Sequence, residues 1–453
     1  MNIAELVRAQ REAFELTNPL PYEARKASLL ALKTTIARHE ADILAALQKD
    51  LNKSPAESYM TELGMVLFEI SDALRHLKAW MRPEKKRAGI AQLPGRCRVY
   101  KEPLGVVLIM APWNYPFQLS LSPLIGALAA GNRCILKPSN YAPETSKLLC
   151  RMITEAFDPL LVSVVIGGRE ENQQLLNERF DYIFFTGGVT VGKLVLQKAA
   201  EHVTPVTLEL GGKSPCIVDK TADLKVAARR IAFGKGLNSG QTCVAPDYCY
   251  VDASVREEFL KLLAAQFKGM YGDALLNDQW PKIVNSCHYE RVTELIGQDK
   301  VYAGGHGNGE KIEPTILTDI SWDSPVMREE IFGPVLPILS FTHLEDVIGA
   351  INAHEKPLAL YLFTRDKAAR DMVLSRVSFG GGCVNDTILH LASSHTPFGG
   401  VGHSGMGRYH GKYSFDTFTH EKSVLLKALR PGISAMYPPF TKEKFLLYKK
   451  VMR

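Results

Sequence analysis

Residues 238–247 read NSGQTCVAPD and place a thiol, Cys243, among small, polar and turn-forming neighbours. Glycine and proline there force a loop. A loop thiol can be activated, because backbone N–H groups and a local positive potential lower its pKa from about 8.5 toward neutrality. An incidental loop cysteine would read the same way from this stretch alone. Glu209, in LELGGKSP (208–215), stands at a strand end before a Gly-Gly turn. A general base works from such a position, and a solvated turn glutamate also fits it. Asn114, in APWNYPF (111–117), follows a strand with an aromatic on either side. A side-chain amide can hold a developing oxyanion, or simply make a turn.

Three further stretches carry glycine turns or charged groups at strand ends. FFTGGVTVGK (184–193) reads as strand, glycine turn and helix start, which presents backbone N–H groups to an anion. It is not a G-x-G-x-x-G fingerprint, and a glycine turn alone is weak evidence for a nucleotide. LKPSN (136–140) sets a lysine at a neighbouring strand end, and EEIFGPVLP (329–337) brings two acids and a phenylalanine before a Gly-Pro turn.

These residues need elements to hold them. Residues 3–80 are rich in Ala, Leu, Glu and Lys at helical spacing and form a helical lead-in. PEKKRAG (83–89) reads as a charged loop and RCRVYKEP (96–103) as an extended segment. From 105, GVVLIM, RCILKP, LVSVVIGG and DYIFFTGG alternate with helical segments, the pattern of a parallel sheet covered on both faces. Such a sheet binds ligands at the carboxyl ends of its strands. A second alternating region covers 208–407, with PCIVDK, YCYVDA, VLPILSF, LALYLFT and GGCVND as strands. YSFDTFTHEKSVLLKAL, near the end, can return to pair with 96–103 as a small arm that invites a partner chain.

The bulk composition excludes several classes. At 453 residues the chain exceeds one hydrophobic core, so two domains are expected. It is 46% apolar and 23% charged, with a net charge of +6, an ordinary globular balance too weakly basic to argue for nucleic acid. No stretch reaches the roughly 18 apolar residues of a membrane span, and the charged N-terminus is no secretory signal. None of the eight cysteines has C-x-x-C spacing, which leaves no zinc or redox motif and fits a reducing, cytoplasmic setting.

Taken together, PWNYP, KPSN, FTGGVTVG, LELGGKSP, NSGQTCVAPDY, EEIFGPVLP and PFGGVGHSGMGRYHG resemble the aldehyde dehydrogenase superfamily in order and spacing over nearly the whole chain. The length, GQTCVAPDY and SGMGRYHGKYSFDTFTH look like its class 3 branch, which includes fatty and aromatic aldehyde dehydrogenases. The resemblance implies an α/β fold: a Rossmann-like NAD(P)-binding domain (1–95 and 105–207), an α/β catalytic domain (208–407) and a β oligomerisation arm (96–104 and 408–430).

It also implies a division of labour. Cys243 attacks the aldehyde as a thiolate, Asn114 with the Cys243 N–H holds the oxyanion, and Glu209 activates the water that releases the acid. For an NAD or NADP cofactor it implies Trp113 in the wall, Lys137 and Asn140 at the adenosine ribose, and Gly187, Gly188 and Gly192 at the pyrophosphate. Glu330 would meet the nicotinamide ribose and Phe332 the nicotinamide ring. Tyr115, Phe233, Thr242 and Phe398 are candidates for the aldehyde tunnel; His390 and His395 lie near its mouth without an assigned role. No metal is implied.

Two positions depart from common relatives. Asn140 stands where many NAD-preferring members carry Glu, which implies tolerance of NADP. Gly188 stands where others have Ser, so one pyrophosphate contact is missing. The tail, 431–453, resembles the segment before the membrane anchor of fatty aldehyde dehydrogenases. It mixes Phe445, Leu446, Leu447 and Tyr448 with Lys442, Lys444, Lys449, Lys450 and Arg453. It could rest on an anionic membrane, though packing on the protein or a partner subunit is the expectation. The expected activity is non-acylating oxidation of medium- or long-chain aliphatic or aromatic aldehydes by a homodimer. A CoA-acylating enzyme and a catalytically silent cofactor-binding protein are the alternatives. Glu209 argues against the first, and the intact Cys243, Glu209 and Asn114 against the second.

Overall fold

The computed structural model of the protein describes residues 2–297, 299–429 and 432–452. Among the described residues the strands run β1 (Glu84–Lys86), β2 (Gly95–Pro103), β3 (Val106–Met110), β4 (Arg133–Lys137), β5 (Val162–Val164), β6 (Tyr182–Gly187) and β7 (Val206–Leu210). They continue with β8 (Pro215–Val218), β9 (Tyr248–Asp252), β10 (Lys300–Ala303), β11 (Thr315–Thr318), β12 (Val335–Phe341), β13 (Ala359–Phe363), β14 (Gly381–Val384), β15 (Gly405–Met406) and β16 (Thr419–Lys427).

The first sheet has the order β15-β7-β6-β3-β4-β5 and is parallel from β7 to β5. The apolar runs predicted it: every residue of β3 and β4 is buried. From β3 the chain winds outward to β4 and β5, then returns to place β6 on the other side. The switch point therefore lies between β3 and its neighbours, and the segments after β3 and β6 face one crevice. That is where Trp113–Asn114 and Gly187–Gly188 stand.

Helix Gln118–Ala130 is buried at every residue. The lead-in helices Tyr22–Arg38 and Gly64–Trp80 pack against it, whereas Glu84–Lys86, inside the stretch expected to belong to the first domain, pairs into the third sheet. Gly126 is needed there, because a Cβ would come within 2.5 Å of Ser414 Cβ.

The second sheet, β10-β11-β12-β9-β8-β13-β14, is parallel except for the β10–β11 pair. The third, β1-β2-β16, is the arm. β16 runs antiparallel to β2 from Thr419↔Pro103 to Lys427↔Gly95.

Several sequence expectations are corrected in detail. PEKKRAG is not wholly a loop, because Glu84–Lys86 pairs with β2. The third expected strand of the first sheet shrinks to Val162–Val164. The boundary at 207/208 falls inside β7, whose side chains are buried with the first sheet and which pairs with β6 along its length. The start of the expected returning strand is a helix, Lys412–Thr417. The tail forms helix Lys442–Val451, which buries none of its residues against its own chain. Lys449 lies 4.8 Å over the Phe445 ring. Arg430, Pro431 and Arg453 lie outside the described residues.

Candidate active site

Cys243 lies between helix Leu224–Gly236 and β9, on a turn held in an unusual backbone conformation. Asn238 and Ser239 have φ of 52° and 51°, in the left-handed region that non-glycine residues seldom adopt. Gly240 follows at φ 69°, and a Cβ there would stand 2.3 Å from the Gly333 carbonyl oxygen.

Hydrogen bonds fix this turn. The Asn238 N–H donates to Glu57 Oε1 at 2.6 Å, and Asn238 Nδ2 donates to the carbonyls of Asn114 (2.8 Å) and Gln241 (3.1 Å). Gln241 Nε2 donates to the carbonyls of Asn238 and Lys282, and its Oε1 accepts from Val284 N–H, each at 3.0 Å. The thiol is thus presented by a braced loop.

Asn114 is buried, and its Nδ2 donates to the Gln241 carbonyl at 3.1 Å. One further N–H of that amide is free to donate. Its own carbonyl accepts from Lys53 Nζ at 2.9 Å. Lys53 is fully buried, pairs with Glu62 Oε1 at 2.6 Å and lies 3.9 Å over the Tyr115 ring. Glu62 Oε2 in turn accepts from the N–H groups of Phe117 and Gln118, at the start of the buried helix.

The lead-in therefore positions Asn114 and Tyr115. Sequence reading missed this network. A buried Lys-Glu pair nine residues apart looks like any charged helical stretch, and only its approach to PWNYP distinguishes it.

Glu209, on β7, is 3% exposed, and neither carboxylate oxygen has a hydrogen-bond partner. Buried polar groups are otherwise paired almost always, so this carboxyl awaits a partner that comes and goes. Burial pushes its pKa well above the ordinary carboxylate range.

Two cavities meet at Cys243. The larger, about 400 Å³, is lined by Trp113, Asn114, Gly187, Gly188, Glu209, Glu330 and others, with Phe332 beside Trp113. The second, about 230 Å³, is largely apolar. It brings together Tyr115, Phe233, Thr242 and Phe398, all four expected tunnel residues, with Met60, Met65, Tyr409 and His410. Tyr115 Oη and Thr242 Oγ1 share a hydrogen bond of 2.7 Å.

His410, which the sequence did not single out, is buried, stacks on Tyr409 and faces Glu69 at 3.4 Å. His390 stands behind the wall, with Nδ1 3.6 Å from Cys383 Sγ, and burial lowers its pKa to about 4. His395 is exposed.

The electrostatics correct one expectation. The loop was expected to lower the Cys243 pKa. Burial, with the charges of Glu330 and Glu209 behind it, instead raises it to about 12, so the thiol rests protonated. Burial raises Glu330 to about 8.

Of the residues expected to hold a dinucleotide, Trp113, Gly187, Gly188, Glu330 and Phe332 line the larger cavity, whereas Lys137, Asn140 and Gly192 do not. Gly187 and Gly188 open onto helix Val189–Ala200, and a Cβ on Gly188 would meet nothing within 4 Å. Gly192 lies buried in that helix's first turn, leaving room for Leu210. Lys137, its pKa lowered to about 8 by burial, donates to the carbonyls of Pro138 and Gly167 and keeps a third proton to give. Asn140 is exposed, near Gly168.

A sequence profile of the Aldehyde dehydrogenase family matches residues 1–424. The 4,4'-diaponeurosporen-aldehyde dehydrogenase of Staphylococcus aureus is 47% identical over 457 residues, covering 99% of each chain. The dimeric NADP-preferring aldehyde dehydrogenase of Rattus norvegicus is 45% identical over 97% of this chain and 98% of its own. A solved structure of Staphylococcus aureus AldH in a substrate-bound state superposes with a TM-score of 0.97 at 46% identity, covering 100% of both chains.

Proposed function

The chain belongs to the aldehyde dehydrogenase family and is an NAD(P)-dependent aldehyde dehydrogenase, and from that premise we propose that Cys243, Glu209 and Asn114 carry its chemistry. The observation that supports this most directly is the position of Cys243, whose side chain borders both cavities. An aldehyde in the apolar cavity and a dinucleotide in the larger one reach the sulfur from two sides.

The Cys243 sulfur, after losing its proton to solvent, adds to the carbonyl carbon. The new S–C bond turns the carbonyl oxygen into an alkoxide. Asn114 Nδ2 and the Cys243 N–H donate to that oxygen, which stabilises charge only as it develops. When bound, NAD or NADP supplies the acceptor for the hydride that leaves this carbon. A thioester on Cys243 results. The unpartnered Glu209 carboxylate takes a proton from water, the water oxygen adds to the thioester carbon, and the C–S bond breaks to release the acid and restore the thiol.

The apolar cavity suits medium- and long-chain aliphatic or aromatic aldehydes. The Staphylococcus aureus relative is named for a 4,4'-diaponeurosporen-aldehyde, which is consistent with a preference for extended apolar substrates. Trp113, Lys137, Asn140, Gly187, Gly188, Gly192, Glu330 and Phe332 hold the cofactor; Tyr115, Phe233, Thr242 and Phe398 hold the aldehyde. The protein works in the cytoplasm as a homodimer joined through the arm. The exposed tail helix, with Phe445 and Leu446 beside Lys449 and Lys450, can touch an anionic membrane surface. No described helix is long and apolar enough to cross one.

The test is NAD(P)H formation from octanal, hexadecanal and benzaldehyde without CoA, beside Cys243→Ser. Reduction that needs Cys243 and releases free acid is expected. Reduction only after CoA is added would instead establish the acylating reaction.

A further inference from the structure

Among the described residues, two side chains that line the larger cavity and have no assigned role carry a buried polar atom without a hydrogen-bond partner, Thr186 through its hydroxyl and His288 through Nδ1. His288 lies in helix Ser286–Ile296, where the Asn285 side chain caps its backbone N–H at 2.9 Å. Its ring lines the cavity, and its Nδ1 is buried with no hydrogen-bond partner. The neighbouring cation is already engaged. Arg291 donates to Glu329 Oε1 at 2.9 Å and to the carbonyls of Glu330 and Ile331 at 3.3 and 2.8 Å. A polar ring that lines a ligand cavity and leaves a nitrogen unpaired can take a partner from the ligand.

Its neighbours say which part of the ligand that is. On one side the His288 ring lies 5.2 Å from Trp113, which is itself 5.2 Å from Phe332, at the end of the cavity near Cys243. On the other it lies 6.1 Å from Tyr141, the residue after Asn140, which the proposed function puts at the adenosine ribose. His288 thus stands between the positions of the two nucleosides, and a pyrophosphate joins those. The glycine turn at 187–188 supplies backbone N–H groups and no side chain; the nearest hydroxyl is that of Thr186, one residue before it.

We propose that His288 is a cofactor-binding residue whose imidazole N–H donates to the pyrophosphate of NAD or NADP, supplying the side-chain contact that Gly188 lacks. This rests on the reading of the larger cavity as the dinucleotide site. Burial, with Arg291 adding to it, holds the ring below the usual histidine range, so at neutral pH it is an uncharged donor. A hydrogen bond to a charged group of this kind is worth about ten- to hundredfold in affinity.

The test is direct binding to purified protein, by calorimetry, of NADPH, ADP-ribose and AMP, with His288→Ala and His288→Phe beside the unaltered chain. The phenylalanine variant keeps the ring against Trp113 and removes the N–H. Both variants should bind NADPH and ADP-ribose about ten- to hundredfold more weakly and AMP unchanged, with the melting temperature of the free protein preserved. If the unaltered chain binds neither dinucleotide ligand, the cavity reading itself falls. If that chain binds and His288→Phe binds equally well, the histidine assignment falls. Equal weakening for AMP would move His288 to the adenosine and overturn the pyrophosphate contact.

Discussion

Cys243, Glu209 and Asn114 could be singled out from the sequence because each stands in a short turn-forming segment, and the structure brings all three to one cavity. Their protonation could not be read that way. A loop drawn from small polar residues suggested an accessible, activated thiol, whereas packing half-buries it and sets two carboxyls nearby, lifting its pKa to about 12. The consequence is measurable. Only the thiolate reacts with an alkylating agent. Below a pKa of about 12 the thiolate fraction grows about tenfold for each unit of pH. Iodoacetamide labelling of Cys243 in the free protein, followed at the peptide, is therefore expected to accelerate about tenfold per unit between pH 7 and 9. A rate already level at pH 7 would mean that the fold activates the thiol by itself. Lys53 and Glu62 were illegible for the complementary reason. Their burial is decided by helix Gln118–Ala130 packing across them, which no local pattern announces.

At the scale of elements, the parallel strands and their covering helices followed from short apolar runs separated by helical periods. The errors lie where pairing, not pattern, decides: β1 exists because β2 offers it an edge, and β7 extends past the expected boundary because β6 pairs with it to Leu210. That last pairing sets Gly211 against Glu330. A Cβ on Gly211 would stand 1.9 Å from Glu330 Oε2, so the turn after β7 and the Glu330 loop fit only through a glycine. Glu330 carries a stability cost. Its pKa is about 8 in the fold against an ordinary 4.5, so the folded state holds the proton more tightly than the unfolded chain. Folding stability therefore falls as pH rises from about 4.5 to about 8 and levels off above that. Glu330→Gln removes the ionisation, and its melting temperature should exceed that of the unaltered protein by more at pH 8 than at pH 5. An advantage independent of pH would contradict a buried carboxyl. The same variant should weaken cofactor binding, the usual trade at a functional site.

In the whole molecule, the two α/β units meet where the Cys243 loop, the end of β7 and the Glu330 loop converge. The arm lies apart from that junction. Its strand β16 is nine residues long and pairs on one side only, leaving the other edge open. A long open edge is a template for a second chain. Light scattering should give twice the chain mass, and Val424→Pro, which interrupts β16, should give a monomer; an unaltered monomeric mass in the native chain would contradict the arm's role. The order of the two largely parallel sheets was readable because their apolar strands run in sequence along the chain. The exposed tail was not, because its apolar and basic residues fit both a packed and a free helix. The account's central claim is a thioester on Cys243 that Glu209 resolves, and one experiment meets it directly. Glu209→Gln is mixed with octanal and NADP, NADPH is followed in time, and the intact protein is then weighed. The account predicts a burst of one NADPH per site, no steady turnover, and an acyl group that maps to the Cys243 peptide. Steady turnover at the unaltered rate, or an adduct on another residue, would contradict it.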